Sequence, residues 1–379
     1  MPRPALLTVH EPALAHNLAQ VRRLVGSSRI WAVAKARGYG VGLASCLRGF
    51  EQADGLAVLE LVEAQTLRDS GWTRPILLLE GAFSAADVRQ ALEAELDLVV
   101  HQPDQLGWLL AQRQALARSS CRVWIKLNTG MHRLGFPVVS GGLDESLQKG
   151  LAPLRAVLPA SRLGFMTHFA CADDPTGVDG QLAVWQSVQP ALGLRAGESL
   201  SLANSAAVVR HPSTHADWVR PGIMLYGGDP LAGQAPESRP TQPAIGLQPA
   251  ATLSSQLIAV QTVAAGGAVG YGARYRAPSD MRIGVVAMGY ADGYLRCAPD
   301  GTPVLVDGVR CPLVGQVSMD MITVDLGPVP AARVGSSVTL WGQGLSIDEV
   351  AACCSSNAYE LLTGVTSRVT RRVEPLLPA

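Results

Sequence analysis

Lysine is almost absent from this chain: its 379 residues hold it only at positions 35, 126 and 149, and every other cation is arginine. An arginine-biased sequence loses lysine wherever any cation would serve, so the survivors are enriched for positions that need an amine. An amine forms imines and accepts a proton near neutral pH once desolvated, and a guanidinium does neither. Net charge is missing too. The 31 basic and 31 acidic residues cancel, and no basic stretch is interleaved with aromatics, which argues against a nucleic-acid partner and leaves small neutral or zwitterionic ligands. No apolar run is long enough to cross a bilayer, and the opening Met-Pro-Arg-Pro turns polar at His10-Glu11 without a signal core; the expectation is a cytoplasmic protein without membrane contact. Seven cysteines, at 46, 121, 171, 297, 311, 353 and 354, are odd in number and form no Cys-x-x-Cys pair, which points to reduced thiols. His211 and His215 have i, i+4 spacing, but the Pro and Ser between them oppose a metal-binding helix, so no metal is expected.

A hydrophobic content of 48% against 16% charged residues gives a sizeable core and length for one large or two smaller domains. Over the first 230 residues apolar strand candidates (30–35, 56–59, 76–80, 96–100, 122–128, 162–169, 199–204 and 219–224) alternate with helical segments such as 61–70, 84–92 and 103–118. Eight such units predict an α/β fold, a parallel (β/α)8 TIM-like barrel, whose chemistry collects at the carboxyl ends of the strands. Lys35, Lys126 to Asn128, Arg133, His168, Asn204-Ser205, Arg220 and Gly222-Ile223 all fall there. A Pro-, Gly- and Gln-rich stretch at 227–249 reads as a linker. Short strands with Gly turns follow (251–263, 282–288, 303–306, 322–326 and 337–341), with a helix near 347–354. The expected division is a barrel over 1–235, whose first residues could join the other unit, and a mostly antiparallel β domain over 236–379.

Eight motifs in order carry a family resemblance: Ala-Val-Ala-Lys-Ala-Arg-Gly-Tyr-Gly at 32–40, Lys-Leu-Asn-Thr-Gly-Met-His-Arg-Leu-Gly at 126–135, Met-Thr-His-Phe-Ala at 166–170, Asn-Ser-Ala-Ala at 204–207, Arg-Pro-Gly-Ile-Met-Leu-Tyr-Gly at 220–227, Gly-Tyr-Gly-Ala at 270–273, Gly-Tyr-Ala-Asp-Gly at 289–293 and Val-Ser-Met-Asp at 317–320. The chain resembles the alanine racemases, two-domain enzymes that use pyridoxal 5'-phosphate (PLP). The resemblance implies that Lys35 holds PLP and acts as one acid/base group, and that Tyr271, from the partner subunit of a homodimer with shared active sites, is the second on the opposite face. Two opposed groups suit racemisation, although one lysine moving between faces would also serve. Arg220 would bond the pyridine nitrogen and disfavour its protonation, with His168 beside the ring. Tyr39, Ser205, Gly222, Ile223 and Tyr359 would cradle the phosphate, and Asn204 would also belong to the cofactor site. Arg133 would meet the substrate carboxylate and be oriented by a carbamylated Lys126, with Met319 and Tyr290 facing the partner's substrate.

Four positions depart from the family's usual residues: Arg37, Gly38, Val41 and Asn128. The activity implied is interconversion of L- and D-alanine, supplying D-alanine for peptidoglycan or serving alanine catabolism. A broader-specificity or serine racemase would share the fold, but Lys126 and the absent signal core count against it. A non-catalytic PLP-binding homeostasis protein would match only the first domain, and the β domain with Tyr271 opposes it.

Overall fold

Short strands of two to six residues, most of them apolar and buried, build the first half of the protein. The computed structural model describes residues 3–232 and 245–376. Eight strands, Arg29–Val33, Gly55–Val58, Ile76–Leu78, Asp97–Val100, Val123–Asn128, Leu163–Met166, Ser199–Ser201 and Trp218–Val219, pair in parallel in that order. The eighth returns to the first through Trp218 opposite Arg29. Between the seventh and eighth, Asp217 N donates to Leu200 O (3.2 Å) and Arg220 N to Ala203 O (2.9 Å), which closes the cylinder. The expected (β/α)8 barrel is therefore present.

Several strands end earlier than the sequence predicts, and local chemistry explains two of them. Asn204 leaves its strand to cap helix Ser205–Arg210, accepting from Ala207 N at 3.0 Å. Pro221 has no amide for a ladder, and Ile223–Tyr226 winds into a 3-10 turn. The helical stretch expected over 103–118 is two helices, Pro103–Ala111 and Arg113–Arg118, meeting at Gln112.

Strand periodicity of two sorts the barrel interior into layers. Trp31, Trp124 and Trp218 are buried in one layer near the amino ends. Trp31 and Trp218 stack with centroids 4.4 Å apart, and Trp124 meets them edge-on at 6.4 and 6.2 Å. Glycine makes the room: a Cβ on Gly55 would lie 2.3 Å from the Trp31 ring, and one on Gly164 2.5 Å from that of Trp124. Two residues further along the same strands stand Val33, Lys126 and Arg220, facing the carboxyl end.

The second unit is a mostly antiparallel sheet around the long strand Ala251–Val263, which pairs with Leu6–His10, Met281–Val286 and Ser337–Trp341. Register shifts at Leu253/Ser254 and Leu257/Ala259 mark where it bends from one partner to the next. Leu6–His10 belongs to this sheet, set between Ala251–Val263 and the parallel strand Thr370–Glu374. The helix expected near 347–354 is Ile347–Cys353, followed by a second, Ala358–Gly364, capped by Asn357. The expected boundary at 235/236 lies outside the described residues.

Candidate active site

Lys35 does not end a strand. It begins a short turn, Lys35–Tyr39, whose following residues are left-handed: φ is 54° at Ala36, 55° at Arg37, 64° at Gly38 and 49° at Tyr39, and Gly40 continues at 82°. Non-glycine residues enter this region at a cost of roughly 1–2 kcal/mol each, so surrounding contacts must hold them. Ala34 O accepts from Gly38 N (2.9 Å), Arg37 O from Gly42 N (2.9 Å), and the Glu63 carboxylate from Arg37 N (2.8 Å). Gly38 and Gly40 are needed for space. A Cβ on Gly38 would meet the buried Cys46 thiol at 2.4 Å, and one on Gly40 would lie 2.4 Å from Leu362 O in helix Ala358–Gly364. The turn thus presses Lys35 into the barrel mouth and Tyr39 beneath it, where Tyr39 stacks on Tyr226 (centroids 4.4 Å) and tilts against Tyr359 (5.7 Å).

A cavity of about 400 Å³ at the carboxyl end of the barrel brings together Lys35, Tyr39, Lys126, Arg133, His168, Asn204, Ser205, Arg220, Gly222 and Tyr359, ten of the residues singled out from sequence. Arg220 is its anchor. The guanidinium is buried with carbonyls in place of a carboxylate: Nη1 donates to Ser201 O (2.8 Å) and Ser201 Oγ (2.6 Å), and Nη2 to Thr167 O (2.6 Å) and Leu202 O (3.2 Å). Burial lowers its pKa to about 10, leaving it a cation at neutral pH. Nη2 also reaches His168 Nδ1 at 3.4 Å, and because a guanidinium only donates, that nitrogen is the acceptor. Burial, then Arg220, pushes His168 well below the ordinary imidazole range, so the ring is neutral.

The two cavity lysines are perturbed in the same direction. Burial lowers the pKa of Lys35, with Glu80 opposing and Arg133 reinforcing the shift. Lys126 falls to about 8 through burial and the Arg220 and Arg133 charges. Lys149 is an ordinary surface lysine paired with Glu145 at 2.5 Å.

Around Gly222 the polar groups converge. Its amide donates to Ser205 Oγ (2.8 Å), and a Cβ in its place would lie 2.4 Å from Tyr39 Oη. Ile223, buried behind the cavity wall, begins a 3-10 turn, so its amide has no partner within that turn. Serine, tyrosine and backbone amides at one corner, an amine at another and a buried cation on the floor fit a PLP-sized ligand with a phosphate, a carbonyl carbon and a ring nitrogen.

Three expected residues lie elsewhere. Tyr271 opens the turn Tyr271–Ala273 in the second unit and is 71% exposed; Met319 and Tyr290 are likewise exposed, 51% and 38%. None lines this cavity. Among the departures, Asn128 organises its own loop, accepting from Gly130 N (3.1 Å) and His132 N (3.0 Å), and Arg37 exposes its side chain. His215 is engaged within the fold, bonded to Val208 O at 2.9 Å. Sequence reasoning missed Glu80 and Met166, which also line the cavity. An acid just past a barrel strand was the available signal for Glu80.

Two family models match the chain: alanine racemase, N-terminal domain, over residues 9–230, and alanine racemase, C-terminal domain, over residues 250–373. An alanine racemase of Paraburkholderia phytofirmans is 48% identical over 375 residues, covering 99% of this chain and 100% of its own. One of Ralstonia nicotianae is 48% identical over 379 residues, covering 99% and 96%. Among solved structures, the biosynthetic alanine racemase from Pseudomonas aeruginosa aligns with a TM-score of 0.88 at 44% identity, covering 98% of this chain and 100% of that one.

Proposed function

The chain belongs to the alanine racemase family, and from that premise we propose how its own residues carry the reaction. The activity is the interconversion of L- and D-alanine, an isomerisation that depends on PLP. When bound, PLP supplies the electron sink that acidifies the substrate's Cα–H.

Lys35 Nζ holds the cofactor's carbonyl carbon. The Tyr39, Ser205 and Tyr359 hydroxyls and the Gly222 and Ile223 amides take its phosphate, with Asn204 capping the helix that presents Ser205. Arg220, a cation held by carbonyls, the Ser201 hydroxyl and a neutral imidazole, would face the ring nitrogen and disfavour its protonation. Arg133 receives the substrate carboxylate. Lys126, whose free amine is accessible near pH 8, is carbamylated, and the new anion orients Arg133, a task that Asn128 leaves undone. Once released by substrate, the desolvated Lys35 amine takes or returns the α proton on one face.

The group on the opposite face is Tyr271 of a second subunit. The observation that carries this reading is the division of the site: the cavity gathers Lys35, Lys126, Arg133 and Arg220, while Tyr271, Met319 and Tyr290 stand exposed on the other unit. In a homodimer these three would complete the partner's cavity. We place the enzyme in the cytoplasm, in keeping with seven free thiols, with a barrel domain over 1–235 whose first strand, Leu6–His10, joins the sheet of the other unit, a β domain over 236–379, and D-alanine supply for peptidoglycan or alanine catabolism as its role.

Complementation tests the shared site. Lys35→Ala and Tyr271→Phe homodimers should each lose about two orders of magnitude or more in racemisation, the scale of a missing general base. Mixing them under subunit exchange should restore activity, because each heterodimer holds one intact site. Heterodimers that form and stay inactive, while exchanged wild-type subunits survive, place both bases in one chain. Borohydride reduction and peptide mapping should label Lys35, and a label on Lys149 removes the assignment.

A further inference from the structure

One carboxylate faces the cationic cavity. Among the described lining residues Glu80 alone is acidic, against Lys35, Lys126, Arg133 and Arg220. It stands two residues beyond strand Ile76–Leu78, on a backbone that is tied down. Glu80 O accepts from Gln105 Nε2 (2.9 Å) and His101 Nε2 (3.1 Å), and Gln105 also bonds Ala82 O (2.9 Å) and His101 N (2.9 Å). Gly81 then turns the chain at φ 71°, where a Cβ would lie 2.0 Å from Val99 O. The carbonyl is spent on the barrel wall while the side chain lines the cavity. Among the described residues, no hydrogen bond or ion pair within the fold claims the Glu80 carboxylate. The other acid acting on Lys35, Glu63, is committed: its oxygens accept from the amides of Arg37 (2.8 Å), Leu59 (3.2 Å) and Glu60 (3.4 Å).

We propose that Glu80 is a positioning residue for racemisation: its carboxylate is the counter-anion that holds the protonated Lys35 amine at the cavity against the repulsion of Arg133 and Arg220, and it sets the pH at which the Lys126 amine becomes free for carbamylation. This rests on the roles given to the two lysines above. Removing the anion has a definite sign at each. Around Lys35 stand Glu63 from helix Leu61–Asp69, Glu80, Lys126 and Arg133, with Arg220 and His168 also lining the cavity. Glu80 is the largest charge that favours the protonated amine, so without it the free base appears at lower pH. At Lys126 carbamylation needs the neutral amine. Nζ adds to the carbon of CO2, a C=O electron pair moves onto oxygen, and the surplus proton on nitrogen leaves to solvent. Loss of Glu80 both frees the amine and removes an anion that repels the product, so the carbamate persists to lower pH.

The test compares wild-type, Glu80→Gln and Glu80→Asp holoenzymes. Two midpoints are read: the acid limb of kcat against pH, and the carbon-13 carbamate signal from labelled bicarbonate against pH. In Glu80→Gln both should move down by roughly 0.5–1.5 units, within the range of a nearby opposite charge, and Glu80→Asp should fall between. A lower kcat with both midpoints unmoved overturns the proposal, since a merely structural role would lower rate without shifting them. Should the Gln variant fail to fold, the Asp variant decides by the same criterion. If wild type itself carries no carbamate, the reading of Lys126 falls while the kcat limb still decides for Glu80.

Discussion

The two ends of the barrel are built from the same strands and do opposite work. Trp124 and Lys126 are two residues apart on one strand, and Trp218 and Arg220 are likewise separated by two. The lower layer is packed aromatic surface, with Arg29 and Arg122 each 5.4 Å from the Trp218 ring and glycines at 55 and 164 cut away to admit indoles. The upper layer is open space ringed by four cations and one acid. A single step of the strand period therefore separates residues chosen for packing from residues chosen for chemistry, and damage at one level should leave the other measurable.

The sharpest way to break that contrast is Trp31→Ala. Emptying a fully buried indole should cost about 3–5 kcal/mol of stability, read as a lower urea midpoint, while kcat of the protein that remains folded stays within about threefold. A large fall in kcat without loss of stability would mean that the layers are not separable. Gly222→Ala probes the upper level. Its methyl must displace Tyr39 Oη, and an overpacking cost of about 1–3 kcal/mol should lower the melting temperature of the PLP-free protein by several degrees, while the displaced hydroxyl weakens PLP binding about tenfold or more in a fluorescence titration. The smallest effect belongs to Asp97, buried in the lower part of the barrel. Burial raises its pKa from 3.8 to about 6, so in the folded state its charge is a burden above pH 6 that fades as pH falls toward 3.8. From pH 8 to pH 5 the wild type should gain about 1 kcal/mol relative to Asp97→Asn; parallel stability curves for the two would show that Asp97 keeps an ordinary pKa.

Much of the barrel was legible because buried parallel strands read as short apolar runs at regular spacing. What failed was local. Asn204 looked like strand residue but serves as a helix cap, and Pro221 ended a ladder that its apolar neighbours seemed to continue. The left-handed turn was half visible: Gly38 and Gly40 signal it, whereas Ala36, Arg37 and Tyr39 adopt it only because Glu63 and the second unit hold them. The cavity residues were found through motifs. Periodicity alone could not have drawn Arg133 and Lys126 together, and Glu80 was absorbed into the apolar run that precedes it. Tyr271 was singled out only through resemblance, and nothing within one chain brings it to the cavity.

Leu6–His10 lies between Ala251–Val263 and Thr370–Glu374, and this sets a timetable for biosynthesis. The strand is made some 364 positions before its parallel neighbour. At about 5–20 residues per second that is a wait of roughly 20–70 s, during which an apolar strand has no partner on that side. The barrel can close in that interval, but the second sheet cannot. Helix Ala358–Gly364, whose Leu362 carbonyl abuts Gly40, is likewise made long after the turn it supports. The lysine turn thus sets long after its own residues are made, and a nascent chain truncated before residue 358 should carry a formed barrel with an unfinished mouth.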